Sequence, residues 1–188
     1  MNVSQLMTTD VFTVRPESGL DEAAYLMLKN DVGCVPVVDD DRRPVGVITD
    51  RDVAMASFVE GAAPHRLVVG ETMTGRVFTC RDTDTVAVPH ELMREHQVRR
   101  IPVTDEAGRL VGLLSLSDLS QVAVAVEKGK TKVRNDLTDT MAALTRPRDE
   151  AHAARFAKLP KAPKKKAPTR TGKTAPTPAA VKKTTTKR

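Results

Sequence analysis

Residues 46–52 read GVITDRD, and 66 positions later residues 112–118 read GLLSLSD. Each is a glycine, two apolar residues, a hydroxyl-bearing residue and, three positions further on, an aspartate. Working outward from this pair, the offset of 66 holds without a gap from Val3/Val69 to Asp52/Asp118, with identity at 17 of the 50 aligned positions. That is too many for coincidence in a chain of mixed composition, so the sequence carries a tandem internal repeat. MTTDVFTVR (7–15) lies on MTGRVFTCR (73–81), and CVPVVD (34–39) on RIPVTD (100–105).

Each repeat reads as strand, helix, strand, strand, helix, which predicts a mixed α/β module of two pseudo-symmetric β-α-β-β-α units. Val11 to Val14 is a β-prone run stopped by Pro16, and Leu20, Ala23, Ala24 and Met27 recur at the spacing of one helix face. Ser18, and Asp84 in the second repeat, are placed to cap that helix. Cys34 to Val38 and Val45 to Thr49 read as a hairpin across the turn residues DDDRRP, followed by a helix over Asp52 to Val59. Pro89 falls about five residues past Asp84, where it removes a backbone donor, and predicts a late helix start or a kink. The expected organisation is repeat 1 over 1–60, a linker 61–68, repeat 2 over 69–127, a linker 128–154 and a basic tail 155–188. In the second linker Leu137, Met141 and Leu144 predict a short amphipathic helix after Asn135 or Asp136.

Composition narrows the function classes. No run of about 18 apolar residues occurs, and the start MNVSQLMTTD has neither a basic nor an apolar leader region, which points to the cytoplasm and away from a membrane. Cys34 and Cys80 form no CxxC pair and read as reduced, half-buried strand residues. His65, His90, His96 and His152 are scattered without HExxH spacing, so no metal site and no catalytic centre is indicated. Residues 1–126 hold 12 Lys/Arg against 19 Asp/Glu, whereas residues 127–188 hold 18 against 5. From Arg155 onward there are twelve basic residues and no acidic one, among Pro, Ala and Thr. Such a segment buries too little apolar surface to offset its ordering entropy and is expected to be disordered.

The repeated G-h-h-[T/S]-x-x-D pattern sits at a strand-to-helix junction. Helix N-terminal N–H groups with a nearby hydroxyl suit a phosphate, and a carboxylate suits the paired hydroxyls of a ribose. The alternative is that Thr49, Asp52, Ser115 and Asp118 only cap the helices they precede. With V-F-T-[V/C], the h-P-V steps in VPV and IPV, and these two runs in the same order and spacing, residues 1 to about 126 resemble a tandem CBS-domain pair, or Bateman module.

That resemblance implies a homodimer built by helix packing and, in many members, AMP, ADP, ATP or S-adenosylmethionine held between the repeats as a regulatory ligand. No cofactor is required. By analogy Asp52 and Asp118 would hold ribose hydroxyls, Thr49 and Ser115 would meet phosphate, and Thr13, Val35, Thr79 and Ile101 would line the base. Each Asp would face the first strand and h-P step of the other repeat, Asp118 toward Thr13 to Pro36 and Asp52 toward Thr79 to Pro102. GLLSLSD also resembles the last repeat in the gamma subunit of AMP-activated protein kinase, which adds Ser117. Arg99-Arg100 stands where repeat 1 has Gly33-Cys34, so phosphate-directed charge, if Arg100 is not simply solvated, comes from one repeat only.

The tail is similar in composition to linker-histone and bacterial histone-like tails. Lys158, Lys161, Lys164, Lys165, Lys166, Arg170, Lys173, Lys182 and Lys183 would bind nucleic acid without reading sequence, or else serve as a solubilising segment that folds back on the acidic body. Two readings follow: a non-enzymatic nucleotide sensor whose tail associates with the nucleoid, or a ligand-free interaction module that regulates a partner enzyme or transporter.

Overall fold

Val35, Val37 and Ile48 in the first repeat, with Ile101, Val103 and Leu114 in the second, are fully buried. They seed two cores in the computed structural model, which describes residues 1–125 and 131–145. Burial of each such side chain contributes about 1.5–3 kcal/mol. In chain order the elements are a 3-10 turn (Val3–Gln5), α1 (Leu20–Lys29), β1 (Cys34–Val38), β2 (Pro44–Thr49) and α2 (Asp50–Glu60). A second 3-10 turn (Pro64–Arg66) leads into α3 (Val69–Thr72), β3 (Cys80–Arg81), α4 (Ala87–His96), β4 (Arg100–Thr104), β5 (Leu110–Ser115), α5 (Leu116–Ala125) and α6 (Thr131–Leu144). β1 pairs antiparallel with β2, and β4 with β5, in matching registers that set Cys34 opposite Thr49 and Arg100 opposite Ser115. Each hairpin turn is closed the same way: Arg43 N–H donates to the Asp39 carboxylate at 2.7 Å, and Arg109 N–H to the Asp105 carboxylate at 2.8 Å.

The repeats exchange their leading segments. Val3 belongs to the core of repeat 2 and Val69 to the core of repeat 1. The backbone bonds that hold them correspond position by position: Val3 N–H donates to Asp84 O and Val69 N–H to Ser18 O, both at 2.9 Å, while Ser4 and Gly70 donate to Asp82 O and Pro16 O. Thr8 then bridges Leu113, and Thr74 bridges Val47. This exchange accounts for the glycine of each G-h-h-[T/S]-x-x-D run. The Met7 side chain crosses Gly112 so closely that its Sδ would lie 2.5 Å from a Cβ there, with Thr8 O at 3.1 Å, and Met73 crowds Gly46 in the same way.

Several local expectations need correction. The run Val11 to Val14 is not a strand; only Val14 bridges Val37, because the chain turns at Pro16 immediately after, and its counterpart β3 has just two residues. Ser18 and Asp84 do not cap α1 and α4, whose caps are Gly19 and Val86. Their side chains accept from the N–H groups of Arg15 and Arg81, closing the turn before each helix. Pro89 is accommodated by a late start: α4 begins one residue after the position equivalent to Leu20, which places Pro89 in the first turn where its missing N–H has no intrahelical partner to lose. The final helix of repeat 1 starts at Asp50, not Asp52.

The short helix predicted in the second linker is also longer than expected. α6 already runs from Thr131, so Asn135 and Asp136 lie inside it. It packs mainly against α4, with Leu137 joining the repeat-2 core and Thr140 and Ala143 buried. The tail cations named above lie outside the described residues.

Candidate functional site

At both motif junctions the hydroxyl and the aspartate cap the helix reciprocally. Thr49 is the N-cap of α2: its Oγ1 accepts from Asp52 N–H at 3.2 Å, while Asp52 Oδ2 accepts from Thr49 N–H at 3.1 Å and from Thr49 Oγ1 at 2.7 Å. Ser115 and Asp118 repeat this with distances of 3.3, 2.8 and 2.6 Å. A cap of this kind is worth about 0.5–2 kcal/mol and fixes the carboxylate at the helix N-terminus. In Asp118 the bonds all use Oδ2, and the side chain is half-buried rather than sealed. The capping role is therefore present at both aspartates, and it holds each carboxylate in place.

In repeat 2 this junction opens into a cavity of about 290 Å³ lined by Arg99, Arg100, Ser115, Leu116, Ser117, Ser120 and Met141. Arg99, Arg100 and Ser117 bring donors to this lining, with Ser117 Oγ 3.2 Å from Ser115 Oγ, while the Ser115 and Ser120 hydroxyls donate within the chain, to Asp118 Oδ2 at 2.6 Å and to Ser117 O at 2.7 Å. Such a donor set suits phosphate oxygens. Of the residues singled out in the sequence, Arg100, Ser115 and Ser117 meet here beside Asp118. Arg99, singled out with Arg100 as phosphate-directed charge, joins them, whereas Ser120 and Met141 were missed. Ser120 sits one helical turn past Leu116, a spacing that could have flagged it. Nothing in the sequence ties Met141, more than twenty residues further on, to this place.

Arg100 also reaches across to repeat 1. Its Nη2 lies 3.5 Å from the position a Cβ would take at Gly33, where an Asp50 carboxylate oxygen lies at 3.4 Å. Burial pushes the Cys34 thiol up to about 11, with nearby Arg100 opposing the shift and Asp52 and Asp50 adding to it. Cys80, whose thiol burial pushes up to about 12, has Asp84 beside it instead. Both cysteines are free and fully inside, more buried than their sequence context suggests. Thr13 is half-buried just before Val14, and Thr79 is exposed just before β3. Val35 and Ile101 are fully buried core residues. Among the described residues no group of three His, Cys, Asp or Glu side chains is arranged to hold a metal ion, and no helix is long and apolar enough to cross a membrane.

The CBS-domain family model matches residues 3–58 and 69–125, the same two units the internal repeat and the exchanged segments define. The chain belongs to the CBS-domain family. The CBS domain-containing protein YhcV of Bacillus subtilis is 33% identical over 134 residues, covering 71% of this chain and 94% of that one. Among solved structures, the CBS domain pair of protein MJ0100, in complex with 5-methylthioadenosine and S-adenosyl-L-methionine, superposes with a TM-score of 0.59 at 26% identity, covering 66% of this chain and 97% of that one. CBSX2 in complex with AMP superposes with a TM-score of 0.56 at 27% identity, over 68% and 98% of the two chains. α6 lies beyond the span matched as CBS domain.

Proposed function

We propose that this CBS pair is a non-catalytic regulatory sensor that binds an adenine nucleotide, with its primary site in the cleft of repeat 2. The observation that carries the reading is the cavity in which Arg99, Arg100, Ser115, Ser117 and Ser120 converge beside the fixed carboxylate of Asp118. Arginines and hydroxyls take the phosphates, and Asp118 takes the ribose diol, with Thr13 at the edge where a base enters, as Thr79 would be for the Asp52 cleft. Two arginines favour AMP, ADP or ATP over S-adenosylmethionine, whose sulfonium carries positive charge. AMP in CBSX2 and S-adenosyl-L-methionine in the MJ0100 pair support an adenosine ligand as the class. Thr49 and Asp52 form the second, weaker cleft.

The protein acts as a homodimer in the cytoplasm. Support for the dimer comes from an open groove of about 370 Å³ between α1 and α2, lined in part by Leu28, which is 85% exposed. The twelve unopposed cations of the tail attach the dimer electrostatically to nucleic acid, and so to the nucleoid.

Calorimetry of the full chain with AMP, ADP, ATP and S-adenosylmethionine tests the site. Binding at millimolar affinity or better is expected. Asp118→Ala should weaken it by about 5- to 150-fold, the equivalent of about 1–3 kcal/mol for buried donors left unpaired. Asp52→Ala should weaken it less. Absence of binding by all four, or equal binding by wild type and Asp118→Ala, would favour instead a ligand-free interaction module acting on a partner enzyme or transporter.

A further inference from the structure

The cavity of repeat 2 has a wall that neither repeat supplies. β4, β5 and α5 give the arginines, the serines and Leu116, but the remaining side is closed by Met141 of α6. Met141 is half exposed, while its neighbours on the same helix are anchored: Thr140 is 1% exposed and bonds through Oγ1 to His90 Nδ1 at 3.0 Å, Ala143 is 5% exposed, and Leu137 packs on the repeat-2 core. α6 thus lies firmly on α4 and more lightly on α5, and the cavity is the gap on its α5 side. Leu116 and Met141 are the apolar residues that line it, with Arg99 and Arg100 also in the lining. A ligand with an anionic end and a flat apolar part would fill it and touch both helices.

We propose that α6 is a ligand-contacting element of this site, in which Met141 sets what the cavity admits and an occupant clamps α6 onto α5. The proposal rests on the cavity being the anion-binding site argued above. Occupancy and the seating of α6 are then a single linked equilibrium: the ligand holds the helix, and the seated helix raises affinity for the ligand by the same factor. Since the basic tail begins at Arg155, shortly after α6 ends at Leu144, the clamp acts on the described element nearest the tail in sequence.

The test uses the full chain, with ATP and inorganic pyrophosphate as probes and hydrogen exchange of residues 137–144 as readout. ATP should slow exchange in this segment, and Met141→Ala should weaken ATP by about 5-fold, the loss expected for one apolar contact. Ala143→Arg, which forces a charged side chain into a buried position of α6, should weaken ATP at least as much; its β4–β5 exchange reports whether the repeats remain folded. ATP binding with unchanged affinity in Met141→Ala, and no slowing at 137–144, overturns the clamp and leaves the nucleotide site standing. Pyrophosphate slowing exchange at 137–144 where no nucleotide binds keeps the clamp and removes the nucleotide assignment. Failure of both probes to bind overturns both.

Discussion

Repeat 1 and repeat 2 share hairpin register, turn closure, capping and the exchanged leading segment, yet the cavity lined by two arginines belongs to repeat 2. Position by position, Arg99, Arg100, Leu116, Ser117 and Ser120 stand where repeat 1 has Gly33, Cys34, Asp50, Arg51 and Ala54. The helices differ in the same sense. The face of α4 that receives α6 corresponds to the face of α1 that remains open beside α2. Duplication has kept what the fold needs, namely the buried strands, the glycine under the methionine and the capped aspartate. It has diverged where side chains face a cleft or a neighbour.

The largest expected contrast lies in the two buried thiols. In the unfolded chain a cysteine ionises near 9.0, whereas Cys34 in the fold holds its proton to about 11 and Cys80 to about 12. The native state keeps protons that the unfolded state has released, so the thiol contribution to stability is intact below pH 9 and is lost as pH rises through 9 toward 11 and 12. At 1.36 kcal/mol per pK unit this amounts to about 3 kcal/mol for Cys34 and, after discounting for solvent screening, to about the same for Cys80. Urea midpoints measured from pH 7 to 10.5 should fall, and Cys34→Ala and Cys80→Ala should each flatten the decline. Arg100→Ala should slow thiol labelling of Cys34 and leave Cys80 unchanged, since only Cys34 has that cation beside it. Equal effects on both thiols would remove the cross-repeat contact of Arg100 from the account.

Next in size are the two motif glycines. Gly112→Val must displace Met7 and press on Thr8 O, a backbone atom that cannot rotate away, whereas Gly46→Val meets the Met73 side chain alone among its nearest neighbours. Overpacking of this kind costs about 1–3 kcal/mol, and the higher figure belongs to Gly112. Met7→Ala should recover part of the loss in Gly112→Val if the crowding is the cause; midpoints from chemical denaturation measure both.

The hairpins, the repeat and the motif junctions were legible because their determinants are local and occur twice. CVPVV and RIPVT are short apolar runs bounded by turn residues, and they fold as read. The first strand was overread because VFTV has β propensity but lacks a continuous partner: only Val14 reaches Val37 before Pro16 turns the chain. Ser18 and Asp84 carry good capping chemistry, yet the turn ahead of each helix uses it first. In the site, Ser115 and Asp118 could be found from spacing, Ser117 from the family resemblance and Arg99 and Arg100 from the mismatch between repeats, while Ser120 was overlooked and Met141 was unreachable. Its place depends on α6 lying on α4, which is decided by burial of Thr140 against His90, a long-range pairing no periodicity records.

The smallest difference is a backbone one, at the hairpin turns. Arg42 and Gly108 occupy equivalent positions, each donating its N–H at 3.0 Å to the carbonyl of the turn's aspartate, Asp39 or Asp105, and each has positive φ, +62° and +79°. Glycine adopts that conformation freely, while a residue with a Cβ pays about 1–2 kcal/mol for it. Glycine's greater freedom in the unfolded chain returns part of that gain, leaving Arg42→Gly stabilising by about 0.5–1 kcal/mol. The Arg42 carbonyl, which accepts from Leu110 N–H at 2.8 Å and ties the two turns together, is kept by the substitution. Gly108→Arg should lower stability by about 1 kcal/mol. A higher urea midpoint for Arg42→Gly with an unchanged slope would show that the arginine is strained in the turn. A lower midpoint would mean that its exposed side chain contributes more than the backbone conformation costs.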